Sequence, residues 1–169
     1  MLSALLLNVF LAQASCGDFL AANNPKTPVL TGGVSAVDKV PVEIFGQWAI
    51  HSDLIYVSGD RDAYKETTSD MWIFSKSGDY ITLTNPITTA SATITVDQVI
   101  NRNAKFSRRS VKPHKAETET VQLDIGNDRF SGIDTFIIQK YKKGKLISQD
   151  IVKYKLRGTK VSGSNNIFD

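Results

Sequence analysis

Residues 117–128 read ETETVQLDIGND, and this stretch decides the fold of the chain. Its apolar residues Val121, Leu123 and Ile125 alternate with polar ones, so a β-strand would place the two sets on opposite faces. Gly126-Asn127-Asp128 then supplies the small polar residues of a tight turn. One apolar and one polar face predict a strand of an antiparallel sheet that is buried on one side only.

The same alternation continues on both sides of that stretch and covers most of the chain. We expect eight strands, over residues 46–57, 70–75, 80–84, 90–97, 104–109, 117–125, 129–141 and 146–157. Thr and Val, which suit a pleated surface, are frequent in these runs, and turn residues separate them. Eight strands joined by hairpins predict an all-β domain, a single antiparallel up-and-down β-barrel, because closure removes exposed sheet edges.

Strand parity also predicts which side chains fill the barrel. The inward set is bulky and mostly apolar: Trp72, Phe74, Ile81, Leu83, Ile94, Val96, Phe106, Val121, Leu123, Val152 and Tyr154. We expect Trp72, Phe74, Phe106 and Tyr154 to contact a ligand, with Tyr64 reaching it from a polar loop that is either a lid or a mobile surface segment. A small barrel can also be filled by its own side chains, so an interior without a pocket stays open as an alternative.

The residues before the barrel have a different composition. Residues 1–15 are apolar and uncharged, and they are too few to span a bilayer, which takes about 20 residues. Such a run is typical of a signal peptide. Residues 16–44 contain Pro and Gly at a density that disfavours helix and strand, which predicts a flexible tether. The barrel would occupy residues 45–162, and a disordered tail would follow over residues 163–169.

The single cysteine of the chain, Cys16, directly follows the apolar run. This position resembles the end of a bacterial lipoprotein signal, in which the cysteine becomes a lipidated N-terminus. The resemblance implies an exported protein that is anchored to a membrane through Cys16. Two alternatives stay open: cleavage after Ala14, which makes Ser15 the first residue, and an apolar segment that belongs to a cytosolic domain.

A short motif opens the barrel region. Gly46-Gln47-Trp48 resembles the Gly-x-Trp sequence at the start of lipocalins and related calycin barrels. The resemblance implies that Trp48 lies on the first strand and plugs the closed end of an eight-stranded barrel, with a basic residue near the last strand packed over it. Arg157 is a possible counterpart of that basic residue, although its parity with Lys153 and Lys155 also allows it to face outward.

Residue patterns that carry catalysis are scarce in this chain. His51 and His114 are its two histidines, and neither stands at a metal-ligand spacing from cysteine or acidic residues. No nucleophile elbow, phosphate-binding loop or dinucleotide fingerprint occurs. The sequence therefore predicts a protein that is not an enzyme and that holds no metal or cofactor.

Positive charge is concentrated toward the C-terminus. Eight basic residues lie between residues 140 and 160, against a single acidic residue, Asp150. Lys153, Lys155 and Arg157 alternate along the last strand, so they would share a face that contacts an anionic surface such as a membrane. The alternative is an ordinary wet strand face, whose lysines prevent aggregation. Nucleic acid is not an expected partner, because we expect the protein to be exported.

These features favour an exported cell-envelope protein whose barrel binds a small apolar or amphipathic ligand, such as a lipid. A second hypothesis is a periplasmic interaction module, for example a calycin-type protease inhibitor that inserts residues 17–44 into a protease. A third is a structural envelope lipoprotein without a small ligand.

Overall fold

The chain folds as a closed barrel of eight antiparallel strands joined in sequence order. The computed structural model describes residues 36–163. The strands are β1 (Gly46–Ser58), β2 (Thr67–Ser77), β3 (Tyr80–Thr84), β4 (Ser91–Ile100), β5 (Asn103–Lys112), β6 (Lys115–Ile125), β7 (Arg129–Lys142) and β8 (Lys145–Ser162). β1 pairs with β2 on one side and with β8 on the other, which closes the sheet. The predicted all-β, up-and-down barrel is confirmed.

Strand β6 shows how alternation sorts the side chains. Its pairing with β7 runs unbroken along all 11 residues of the strand. Val121 and Leu123 are buried, whereas Gln122 and Asp124 are exposed. A shift of the register by one residue would turn every one of these side chains around, so burial of the apolar face specifies the pairing.

One end of the barrel, which we call the closed end, is covered by residues that the sequence assigned to the flexible tether. Ala36–Lys39 and Val42–Ile44 form two 3-10 turns. Val37, Val40 and Ile44 are buried in the same core as the barrel side chains. Pro and Gly exclude long elements here but allow short turns, and these apolar side chains are stabilised by leaving water. The folded unit therefore includes residues that precede the first strand.

Four sequence predictions concern residues outside the described part of the chain. They are the signal segment 1–15, the lipidated Cys16, the first part of the tether over residues 17–35, and the tail beyond residue 163. Within residues 36–163, no helix is both long enough and apolar enough to cross a bilayer.

The end of the barrel opposite the closed end is uneven, because the strands differ in length. β3 has 5 residues, whereas β7 has 14 and β8 has 18. The pairing of β1 with β8 ends at Ser58 and Ile151, but β7 stays paired with β8 as far as Lys142 and Lys145. The β7–β8 hairpin therefore projects beyond its neighbour β1.

Candidate functional site

The closed end is built around an aromatic pair. Trp48 is fully buried, and its indole Nε1 donates a hydrogen bond to the carbonyl of Ile44 at 2.6 Å. Its ring centroid lies 4.9 Å from that of Phe130. Gly158 makes room for Phe130, because a Cβ at Gly158 would lie 2.4 Å from the phenyl ring. Trp48 thus joins the N-terminal turns to the strands of the barrel.

The basic side chain that packs over Trp48 is Lys160, which corrects the expectation for Arg157. Lys160 Nζ lies 5.5 Å from the centroid of the Trp48 ring and donates a hydrogen bond to the Glu43 carbonyl at 2.8 Å. Burial lowers the pKa of Lys160, and the charge of Glu43 opposes that shift. Arg157 faces outward and pairs with Asp53 at 2.6 Å. The reason is parity, since successive side chains of β8 point to opposite faces.

A small, partly open cavity is lined by residues of β2 to β6. Its volume is about 20 Å³, and its walls are formed by Trp72, Phe74, Leu83, Ile94, Phe106, Ser107, Arg108, Glu119 and Val121. This is room for about one water molecule, whereas pockets for drug-sized ligands measure about 300–1,000 Å³. The interior is therefore nearly filled by its own side chains.

The structure separates the five residues that the sequence predicted to contact a ligand. Trp72, Phe74 and Phe106 all line the cavity. The centroid of Phe74 lies 6.0 Å from that of Trp72 and 6.1 Å from that of Phe106, so the three rings form one continuous wall. Tyr64 and Tyr154 are not among the cavity residues.

Tyr64 and Tyr154 instead fasten the loop between β1 and β2 to the rest of the barrel. The Tyr64 hydroxyl donates to Asp150 Oδ2 at 3.0 Å, and the Tyr154 hydroxyl donates to the Lys65 carbonyl at 3.2 Å. Burial, with a contribution from the charge of Asp134, raises the pKa of Tyr154 to about 12. Burial and the hydrogen bond to Asp150 also raise the pKa of Tyr64. Both hydroxyls therefore stay protonated at neutral pH and hold the loop in place.

Three charged side chains that the sequence analysis did not single out lie inside the barrel. Arg108 and Glu119, whose side chains are 15% and 7% exposed, pair across the β5–β6 ladder with 2.9 Å between Nη2 and Oε2. Asp134 on β7 is buried as well. Parity was the available signal, because Arg108 stands two residues after Phe106 and Glu119 stands two residues before Val121.

Burial changes how this charged cluster holds protons. Desolvation raises the pKa of Asp134 well above its ordinary value, and the charge of Glu119 raises it further, against the opposing effects of Arg108 and the Thr135 backbone. Desolvation also raises the pKa of Glu119, although Arg108 opposes the shift. The two carboxyls therefore bind protons more tightly than they do in water.

Four buried polar atoms in the described structure have no hydrogen-bond partner. They are Trp72 Nε1, Glu117 Oε1, Glu119 Oε1 and Asp134 Oδ1. Leaving such an atom unpaired costs about 1–3 kcal/mol, so each one requires an explanation. Trp72 and Glu119 both line the cavity. The cavity surface itself is almost wholly apolar, so these two unpaired atoms lie behind it and do not face the space.

The barrel wall beside the cavity is weakened between two strands. Within the described strands, β4 and β5 pair only from Thr95 and Ser107 toward the closed end. Ile94 and Arg108, the next residues toward the opposite end, are not paired with each other, and both line the cavity. The β4–β5 ladder therefore ends beside the cavity.

Lys153, Lys155 and Arg157 lie on the outer face of β8, and all three are exposed. Arg157 is paired with Asp53, and Lys153 Nζ lies 5.7 Å from the centroid of the Tyr56 ring. Two of these three basic side chains therefore already contact side chains of β1.

Comparison of the chain with protein-family models, with curated proteins and with solved structures gives no match. Among residues 36–163, no group of three or more His, Cys, Asp or Glu side chains is arranged to hold a metal ion. The function must be argued from the geometry of the barrel.

Proposed function

We propose that this chain is an exported, lipocalin-like envelope protein that binds a small amphipathic ligand in its barrel. The observation that carries the proposal is an aromatic cavity wall in which Trp72 and Glu119 each hold a buried polar atom without a partner, just behind the cavity surface. Ligand sites in proteins are mostly apolar and contain a few placed polar groups. The N-terminal turns at the closed end and the packing of Lys160 over Trp48 support the lipocalin-like assignment.

The cavity walls indicate the chemistry of the ligand. Trp72 and Phe106 offer apolar ring surface, and the Trp72 indole adds a hydrogen-bond donor. Glu119 offers an acceptor when it is ionised and a donor when it is protonated. A ligand with an aliphatic or aromatic body and one hydroxyl, amide or amine group would pair with these two polar atoms once the wall side chains that cover them move. Binding would then remove two unpaired groups that each cost about 1–3 kcal/mol.

The size of the cavity sets a condition on binding. At about 20 Å³, it admits only a few atoms until neighbouring side chains move. We propose that the ligand enters between β4 and β5, where the ladder has ended and Ile94 and Arg108 are not register partners. Its apolar body would displace the side chains of Ile94 and Phe106 from the cavity wall.

Mass spectrometry of the protein, expressed from the full-length chain and purified from a bacterial membrane fraction, tests export, lipidation and ligand binding together. Under native conditions, we expect a non-covalent mass that disappears on denaturation. Under denaturing conditions, we expect a chain that begins at Cys16 and carries covalent acyl groups. A chain that begins at Ser15, or one that keeps residues 1–15, would contradict lipidation and leave the ligand proposal to be decided by the native spectrum.

Two conservative substitutions test whether the ligand occupies the cavity. Trp72→Phe removes the indole donor and keeps a ring, and Glu119→Gln removes the charge and keeps the shape. We expect each to weaken binding of the extracted ligand by about tenfold in calorimetric titrations, which corresponds to the loss of one hydrogen bond. Trp48→Phe is the matched control and should leave the affinity unchanged. Equal affinities in all variants, or a native spectrum without the mass of a bound ligand, would contradict the proposal.

A further inference from the structure

The two long hairpins end in a surface that the proposed ligand site does not use. This hairpin tip comprises residues 111–115, at the β5–β6 turn, and residues 140–147, at the β7–β8 turn. The two segments are joined, because the Tyr141 N–H donates a hydrogen bond to the His114 carbonyl at 2.8 Å. They therefore form one continuous surface at the end of the barrel opposite the closed end.

The hairpin tip carries a concentrated positive charge. It contains six lysines and no acidic residue: Lys112, Lys115, Lys140, Lys142, Lys143 and Lys145. Lys115 is half-buried and pairs with Glu117 at 3.1 Å, and the other five lysines are exposed. The whole chain has a net charge of only +3, so the tip is much more basic than the rest of the molecule.

Large aliphatic side chains stand among these lysines. Val111 is 69% exposed, Leu146 is 51% exposed and Ile147 is 61% exposed. Leu146 pairs with Tyr141 and Ser148 pairs with Lys140, so Ile147 is the extra residue of a β-bulge, and both Leu146 and Ile147 are exposed to water. The cause is the projection of the hairpin, because β1 pairs with β8 only as far as Ile151.

We propose that the hairpin tip docks on the surface of an anionic lipid bilayer. Its lysines would lie at the negatively charged headgroups, and Val111, Leu146 and Ile147 would enter the boundary between headgroups and acyl chains. A nucleic acid would use the charge but has no comparable use for aliphatic side chains at the tip of a hairpin. Tyr141 is not exposed and bonds to Gln139, so it offers no platform for stacking bases.

The proposal moves the expected membrane contact from the outer face of β8 to the hairpin tip. Lys153 and Arg157 on that face already contact Tyr56 and Asp53. No acidic side chain lies within the tip itself, and its aliphatic residues add a second source of affinity. The contact does not depend on the proposed ligand, because the residues of the cavity wall and those of the tip are different sets.

The test compares two triple substitutions that remove the same charge. The tip variant carries Lys142→Gln, Lys143→Gln and Lys145→Gln, and the row variant carries Lys153→Gln, Lys155→Gln and Arg157→Gln. Both are made in the full-length chain with Cys16→Ser, so that no protein in the comparison carries an acyl anchor. The probes are phosphatidylcholine vesicles with and without phosphatidylglycerol, and co-sedimentation measures binding.

At low salt, we expect the parent to bind the anionic vesicles more strongly than the neutral ones. The tip variant should lose about tenfold or more of this binding, and the row variant less than about threefold. The difference in vesicle binding between the parent and the tip variant should shrink at high salt, because the screening length is only about 3 Å at 1 M. Leu146→Ser combined with Ile147→Ser should weaken binding at both salt concentrations, because burial of apolar area is not screened.

Replacing the three tip lysines by arginine keeps the charge and controls for folding, so this variant should bind like the parent. Each variant is also melted, and we expect the exposed tip changes to leave the midpoint unchanged. A tip variant that binds like the parent, or a row variant that loses more, overturns the proposal. Vesicle binding that survives the loss of Leu146 and Ile147 while the tip binds double-stranded DNA would assign the surface to a general polyanion and would also overturn it.

Discussion

The two tryptophans of this chain are direct neighbours in the sheet but differ in what they do. Trp48 on β1 and Trp72 on β2 are register partners, and both are buried. The indole of Trp48 bonds to Ile44, whereas the indole of Trp72 has no partner within the described structure. The buried N–H of Trp48 is therefore hydrogen-bonded, whereas the buried N–H of Trp72 is one of the polar groups that lack a partner.

The contrast extends to the charges around each indole. Lys160 beside Trp48 donates to the Glu43 carbonyl at the protein's closed end. Glu119 and Asp134 lie on the inner face near Trp72, and each keeps one oxygen unpaired. A core selected for stability alone would satisfy or remove such groups. Of these two acids Glu119 lines the cavity together with Trp72, which is the reason for proposing a binding site there and not at the closed end.

The largest expected effect on stability comes from removing Trp48, the residue that plugs the closed end. Trp48→Ala should destabilise the barrel by about 3–5 kcal/mol, because a large cavity replaces a buried aromatic ring. A domain of this size has about 5–15 kcal/mol in total, so little folded protein should remain in mild denaturant. Urea unfolding followed by circular dichroism measures the change. Trp48→Phe and Trp72→Phe are the matched pair: Trp48→Phe loses the bond to Ile44 and should cost more, and equal losses would show that the two positions are equivalent core sites.

A second substitution should stabilise the cavity half of the barrel. Because burial raises the pKa of Asp134, the folded chain holds this proton more tightly than the unfolded chain. The free energy of unfolding is therefore greatest below the ordinary carboxyl pKa and falls as the pH rises through the raised value. Asn cannot ionise, so Asp134→Asn should raise the free energy of unfolding at pH 8 by about 1–3 kcal/mol.

The gain from Asp134→Asn should fade toward pH 4, where the native carboxyl is protonated in the fold. Urea titrations at both pH values measure it. Asp124→Asn, an exposed position on β6, controls for the loss of an acidic residue and should change little at either pH. A destabilised Asp134→Asn variant at pH 8 would mean that the carboxylate is needed in its ionised form.

The smallest expected effects on stability are those of substitutions at Lys160 and Arg157, the two basic residues considered as the cover of Trp48. Lys160→Met keeps the aliphatic stem but removes the ammonium group over Trp48 and its bond to Glu43, which should cost about 1–2 kcal/mol. Arg157→Gln removes an exposed ion pair with Asp53 and should cost less than about 0.5 kcal/mol. Thermal melting of both variants checks the ranking, and the reverse order would return Arg157 to the role of the residue that covers the plug.

Much of the fold could be predicted from local sequence, but less of the candidate site. Alternation placed Trp72, Phe74 and Phe106 on the inner face, and all three line the cavity. The same rule puts Arg108 and Glu119 on that face, but the predicted inward set contained no charged residue, so neither was expected there. Burial of this pair depends on the contact of Arg108 with Glu119 across two strands, which strand parity alone does not show.

The sequence by itself determined the class of fold, because strand parity depends only on neighbouring residues and their affinity for water. Only the tertiary structure decided how deep each side chain lies in the barrel, since depth depends on register and closure around all eight strands. That closure puts Lys160, not Arg157, over Trp48, and it sets Tyr64 against Asp150, 86 residues away in the chain. It also leaves β4 and β5 unpaired beyond Thr95 and Ser107, which no local pattern specifies, because the end of a ladder depends on both strands at once.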